Sequence, residues 1–217
     1  MDGIHDLGGK QGFGTVKQQR DFIPFETSWE ARMWALSFFV GSPDLTTDRF
    51  RHLIELLDPV DYLTHNYFDK WYFSIVTDMV ASGIFSDEEL KSGRASVSMP
   101  PPASLSLAEV LETVRGYSRS SKREIDDAPI YSVGQIVRTR KYGISGHTRL
   151  PAYARNRQGD VIAYHGSHVL PDTNINNVEA PQHLYTIRFA AQELWGPGAA
   201  QNDFINIDAW ESYLVRA

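Results

Sequence analysis

The apolar residues of this chain change their spacing once, and that change limits what it can fold into. Up to residue 118 they recur every three or four positions, and beyond residue 130 they alternate. The first spacing lines one face of a helix, the second one face of a strand. Trp29, Met33, Leu36 and Val40 form a helical stripe, opened by Thr27 and Glu30 at capping-box spacing and stopped by Gly41. Pro43, Thr46 and Thr47 open a second helix with Phe50, Leu53, Ile54 and Leu57 on its face, closed by Pro59. A third carries Phe68, Trp71, Tyr72, Ile75 and Met79 and ends at Gly83. Ser86 with Glu89 caps a short fourth, and after the proline-rich break at 99–104, Ser106 with Glu109 caps a fifth bearing Leu107, Val110, Leu111 and Val114. The helical part is therefore expected over 27–118, followed by a polar linker over 119–129 (SRSSKREIDDA). From 130 to 217, Ile130, Val133, Ile136 and Val137, then DVIAYHG, LYTIRF and FINIDAW, are separated by Gly, Pro and Asn clusters. This pattern predicts about five short strands and a small barrel, so the fold class is α+β. Ahead of the helices, residues 1–26 are rich in glycine, with Ile4, Leu7, Phe13, Phe22 and Phe25 as isolated apolar anchors. They predict an extended arm that recovers its ordering entropy by lying on its own domain or on a partner.

Composition narrows the function. With 27 acidic residues against 21 basic, the net charge of −6 leaves no general basic field to hold a phosphate backbone, so no nucleic-acid partner is expected. No run approaches the ~18 apolar residues a membrane span needs, and MDGIHDLGGK has neither the charged nor the apolar region of a signal peptide. A cytoplasmic protein without membrane contact is expected. Cysteine is absent, which removes disulfides, thiolate metal sites and a cysteine nucleophile from this chain. His52, His65, His147, His165 and His168 are scattered without a paired metal-ligand spacing, except that His165 and His168 flank a glycine in an expected hairpin. GGKQGFG lacks the strand before it and the Walker pattern after it, and no GxSxG is present. No self-contained active site emerges.

Three features stand apart. Arg51 borders the apolar stripe of the second helix, where it can either pair with Glu55 one turn on or face a site. Tyr67 and Trp71 lie one turn apart, a spacing that serves a core as well as a pocket. Arg149 lies in a span, 128–159, with Arg138, Arg140, Lys141, Arg155 and Arg157 and no acid at all. Such a run is either a solvated face or, with Pro151 and Tyr153 stiffening the segment, an anion clamp.

The stretches MDGIHDLGGKQGFG, RFRHLIELLDPVDYL, GHTRLPAYARNRQGDV, LYTIRFAAQELWG and DAWESYL, in this order and over nearly the whole chain, resemble the β subunit of nitrile hydratase. The resemblance implies an extended arm, a helical domain and a C-terminal SH3-like β-barrel. It implies hydration of nitriles to amides, with water or a sulfenate oxygen as nucleophile, at a non-corrin cobalt(III) or non-haem iron(III) centre. That centre belongs to an α subunit and is held through cysteines oxidised to sulfenic and sulfinic acid, so this chain supplies no metal ligand. The family's two arginines that donate to those oxygens match Arg51 and Arg149, and a tyrosine facing the centre matches Tyr67. Trp71, Phe50 and Thr47 match the substrate pocket, with His147 in a supporting network. Tryptophan at position 71 favours the cobalt type, while Thr47 stands where cobalt-type relatives often have leucine. The implied assembly is an αβ heterodimer, paired as α2β2. A thiocyanate hydrolase-like subunit is disfavoured by the unbroken chain. An activator or metal-insertion chaperone of the same system is disfavoured by the GHTR segment and the strands beyond residue 130.

Overall fold

A computed structural model describes residues 3–16, 18, 23–42, 44–97, 104–116, 120–143 and 145–217, without the side chains of 113–116. Phe22, Pro43, the prolines of the 99–103 break and the Val114 side chain lie outside the described residues. Capping fixes the first helices as their sequence predicts. Thr27 accepts from the Glu30 N–H and Glu30 accepts from the Thr27 N–H, opening α1 (Ser28–Leu36). Thr46 accepts from the Arg49 N–H at 3.1 Å and opens α2 (Thr47–Glu55). Pro59 does not simply close α2. It is the first residue of a short α3 (Pro59–Thr64) capped by Asp58, a position where the missing N–H costs nothing. α4 (Tyr67–Ala81), α5 (Asp87–Ser92) and α6 (Leu107–Gly116) follow.

α2 and α4 pack together over a small apolar cluster of Met33, Phe68 and Ile75, bordered by Phe50 and Trp71. Asp78 of α4, fully buried, holds this arrangement: it accepts from the Ser42 N–H at 2.9 Å and from Arg49 Nε at 2.7 Å. The stripe expected on α1 is only partly covered. Met33 is buried, but Trp29 and Leu36 remain 43% and 46% exposed, as do Trp34, Phe39, Leu56, Val60 and Leu63 at similar or higher levels. The helical part thus leaves more apolar surface open than its own core can cover.

The rest of the chain forms a five-stranded antiparallel sheet in the order β4-β3-β2-β1-β5. Its strands are β1 (Ile136–Thr139), β2 (Gln158–Val169), β3 (Pro181–Ala190), β4 (Phe204–Trp210) and β5 (Leu214–Arg216), with α7 (Pro171–Asn174) and α8 (Ala191–Trp195) in the connections. The last strand returns to pair with the first, Val137 opposite Arg216 and Thr139 opposite Leu214. No pairing joins β4 to β5 among the described residues, so the sheet is not closed into the expected barrel by hydrogen bonds. Its alternating inward residues, including Val137, Val161, Tyr185, Ile187 and Phe189, form the larger core. The segment expected as a polar linker is tied to the sheet, Arg123 N–H donating to Ser167 O and Val169 N–H to Ser121 O, both at 2.9 Å.

The beginning of the arm lies on this chain's own surface. Asp6 accepts from the Ala152 N–H at 2.8 Å, and the ring of His5 meets that of Tyr62 edge-on. Gly9, at φ +73°, sits so close to Trp195 that a Cβ would stand 2.5 Å from the indole. Glycine is needed there for both its left-handed conformation and its lack of side chain. Phe25, at the arm's other end, packs between Trp34 and Phe68, whereas Phe13 is 63% exposed.

Candidate functional site

α2 and α4 bring together every pocket residue expected from the sequence. Thr47, Phe50 and Arg51 from α2 face Tyr67 and Trp71 from α4 across a hollow of about 490 Å3, completed mainly by Phe38, Ile54 and Ile75. The i, i+3 and i, i+4 offsets within each helix place these side chains on its inner-facing turn. Phe50 meets Trp71 edge-on with ring centroids 5.2 Å apart, and Tyr67 tilts against Trp71 at 5.5 Å. Ser74, buried on α4, donates to the Phe50 carbonyl at 2.8 Å and fixes the spacing of the two helices at this point. The wall is thus aromatic and apolar with Arg51 at its edge, and Tyr67 is 64% exposed.

A second hollow, of about 390 Å3, shares Thr47 and Arg51 with the first and contains Arg149. The fold therefore joins Arg51, from a helix, and Arg149, from the loop between β1 and β2, at one cavity. The Arg51–Glu55 pair open to the sequence does not form. Arg51 only approaches Asp48 at 3.8 Å, and its side chain is 52% exposed. Arg149 is exposed too, and among the described residues no acid pairs with its guanidinium. Asp48 and Glu179 lie on the same lining, but Asp48 stands 3.8 Å from Arg51 and Glu179 is held by Arg123, so the two guanidiniums keep donors with which each can clasp a bound anion. A larger hollow of about 590 Å3 around Ile84, Leu90 and Val97 contains none of the expected residues.

Of the support of these arginines the sequence pointed to His147 alone, and its partners were missed. Glu55 turns away from Arg51 and accepts from His147 Nδ1 at 2.8 Å, with His52 Nδ1 at 3.4 Å from the same oxygen. His147 is fully buried and its ring meets His52 edge-on at 5.8 Å. Burial alone would raise the Glu55 carboxyl, but the bond and charge of His147, together with His5 and His52, outweigh it and hold the acid below its ordinary pKa. Burial lowers that of His52 against the pull of Glu55. On the other side of Arg149, its N–H donates to the Tyr213 hydroxyl at 3.1 Å, and that hydroxyl donates to Asp172. Burial raises the pKa of both Asp172 and Tyr213. Thr46 donates to Asn174 O and Asn174 to Asp48, each at 2.7 Å, fastening the start of α2 to α7. Helix α2 and the Arg149 loop are therefore locked at both ends. The i, i+3 spacing of His52 and Glu55 was visible in the sequence, but nothing there linked it to residue 147. By contrast His165 and His168 do not converge: the first bonds Thr186 at 2.6 Å and the second Ser121 at 3.1 Å.

Comparison with known proteins bears on these residues. Residues 1–114 match the family described as nitrile hydratase beta subunit, N-terminal, and residues 120–216 its C-terminal counterpart. The low-molecular weight cobalt-containing nitrile hydratase subunit beta of Rhodococcus rhodochrous is 37% identical over all of both chains. The cobalt-containing nitrile hydratase subunit beta of Pseudonocardia thermophila is 34% identical over 99% of this chain and 96% of its own. A solved thiocyanate hydrolase apo-enzyme of Thiobacillus thioparus is similar at TM-score 0.40 and 24% identity, over 42% of this chain and 78% of its own.

Proposed function

Since the chain belongs to the nitrile hydratase β-subunit family, we propose that it works with an α subunit to hydrate nitriles to amides, and that Arg51 and Arg149 clasp anionic oxygens presented by that partner. The observation that carries this reading is the meeting of these two arginines, neither hydrogen-bonded to an acid among the described residues, at one hollow beside an aromatic pocket. The absence of cysteine supports placing the anion on the partner, because this chain has no sulfur ligand to oxidise. The uncovered apolar residues of the helical part support a large, lasting interface with it. We read the α subunit as the carrier of cobalt, by the names of the relatives, in an αβ or α2β2 assembly in the cytoplasm. The sheet, with its last strand returned to the first, is read as the SH3-like unit of residues 130–217, joined through 119–129 to the helical unit of 27–118.

The partner's metal, when bound, supplies the Lewis acidity that makes a nitrile carbon electrophilic. This chain's residues do the rest by position. Each guanidinium is planar, permanently charged and rich in donors, so it can hold two anionic oxygens at fixed distance and neutralise their charge. Glu55 and His147 hold the backbone segments from which the two arginines project, and Tyr213 with Asp172 fixes the amide of Arg149. Trp71, Phe50 and Thr47 receive the organic part of the nitrile, and Tyr67 turns its hydroxyl toward the reacting end. Thr47, smaller than leucine and polar, gives that wall more room and a hydrogen-bonding group.

The test is co-expression with a cysteine-rich partner and purification through a tag on this chain. The proposal expects a stoichiometric complex carrying cobalt and hydrating a simple nitrile, and no activity from this chain alone. A monomeric chain that recruits neither partner nor metal would refute it.

A further inference from the structure

The cluster of His52, Glu55 and His147 offers more than support for neighbouring arginines. Glu55 Oε2 lies 2.8 Å from His147 Nδ1 and 3.4 Å from His52 Nδ1, and the ligand atoms of all three lie within 4.8 Å of one another. Four ligands at zinc's usual bond length of ~2.0–2.2 Å stand roughly 3.4 Å from each other in a tetrahedron, so only small side-chain rotations separate this cluster from a ligand set. His52 and Glu55, at i and i+3, project from the same turn of α2, an arrangement that helices use to present one imidazole and one carboxylate to an ion. His147 arrives from the opposite segment and is fully buried, yet its Nε2 has no hydrogen-bond partner. His5 of the arm, also with a buried Nδ1 lacking a partner, lies beside Glu55 along a hollow of about 240 Å3 that leads to the carboxylate. Buried imidazole nitrogens are ordinarily satisfied, so these two without partners mark the surroundings of the cluster as incompletely paired.

We propose that His52, Glu55 and His147 bind one divalent ion with zinc's preference for imidazole and carboxylate ligands. Two imidazoles and one carboxylate suit zinc and disfavour magnesium or calcium, which take oxygen ligands. The fourth position faces the hollow lined by His5 and Asp6, where a water completes the tetrahedron. The ion takes Nδ1 of His147 and of His52 with each ring neutral and its one proton on Nε2, so a ring that carried protons on both nitrogens releases one to solvent.

The assembled complex, freed of loosely held metal with a chelator, is titrated with zinc alone by calorimetry, and its zinc K-edge absorption is recorded. One zinc per β chain is expected, with two imidazoles and light-atom neighbours at ~2.0–2.2 Å. His52→Gln and Glu55→Gln should each weaken that uptake by at least ~10-fold, since losing even an outer partner of a metal ligand costs ~10–100-fold. His165→Gln, in the exposed pair on β2, should leave it unchanged. No stoichiometric uptake by the wild type, a zinc spectrum without imidazole, or uptake lost in His165→Gln would each overturn the site. So would uptake insensitive to both α2 substitutions. If those variants fail to assemble, the wild-type spectrum read together with His165→Gln still decides.

Discussion

Asp78 is remote from the pocket mouth, yet the geometry of the site hangs on it, and Asp78→Ala measures how much. Its carboxylate is wholly buried and satisfies two donors from separate elements, the Ser42 N–H at 2.9 Å and Arg49 Nε at 2.7 Å. Truncation strands the buried Ser42 amide, at a cost of ~1–3 kcal/mol. It also removes the partner of Arg49, and breaking a buried ion pair from one side costs ~3–5 kcal/mol. The second figure is an upper bound here, because the Arg49 side chain is 26% exposed and can turn to water. The two effects overlap, so a total of ~2–4 kcal/mol is expected, or roughly 5–15 °C in Tm for a chain of this size. The loss should depend on pH with a definite sign. Burial raises the carboxyl's pKa, but the bonds from Ser42 and Arg49 outweigh it and leave Asp78 below its ordinary value. Its contribution is therefore complete above the unfolded-state pKa of ~3.9 and disappears as pH falls through the lower folded value. Thermal unfolding of wild type and variant, followed by circular dichroism at pH 7 and in steps below pH 4, tests both statements. A Tm difference of ~1 °C or less at pH 7, or a gap that widens in acid, would refute this reasoning.

Further outcomes follow from other contacts. Trp71→Ala opens the hollow shared with Phe50 and Tyr67 and should shift relative kcat/KM between small aliphatic and aromatic nitriles by ~1–3 kcal/mol; an equal loss for every nitrile with a lowered Tm would make Trp71 a core residue only. Gly9→Ala drives a Cβ to 2.5 Å from the Trp195 ring at a left-handed φ, so it should loosen the arm by ~1 kcal/mol or more and speed proteolysis within the first fifteen or so residues, and an unchanged digestion pattern would contradict the docking seen here. Deleting residues 1–20 should lower both the stability of this chain and its yield with the partner, since the arm's Asp6 and glycines are bonded or packed at home; full yield at unchanged Tm would show that the arm secures neither.

The outline of the fold was legible because it is written in local chemistry. Thr27 with Glu30 and Ser86 with Glu89 close their capping boxes as spaced, and the change of apolar period marks where helices give way to strands. Pro59 misled because a proline that ends one helix can begin the next, and Asp58 before it is the sign that decides between them. On α1, periodicity recorded the right residues but not what covers them: Trp29 and Leu36 recur at the spacing of a helical core face while standing open to solvent in this chain. Arg51 and Arg149 could be marked as unusual, one by its edge position and one by its acid-free surroundings. That they share a hollow could not be, because it depends on how the Arg149 loop packs on α2. Glu55 shows the limit plainly. An i, i+4 neighbour was its obvious partner, yet the fold supplies His147, which is buried and wins the contact.

The central claim is that Arg149 and Arg51 serve as two-donor clasps for anionic oxygens on the partner, and the kcat of the purified heteromer carrying Arg149→Lys tests it most directly. Lysine keeps the positive charge but loses the planar fork, so electrostatic assembly and geometric clasping separate in this one substitution. With subunit stoichiometry and cobalt content equal to wild type, kcat is expected to fall by at least ~10-fold, and Arg51→Lys should behave alike. Wild-type turnover in a fully assembled, cobalt-loaded Arg149→Lys heteromer would contradict the account and return Arg149 to a solvated surface charge.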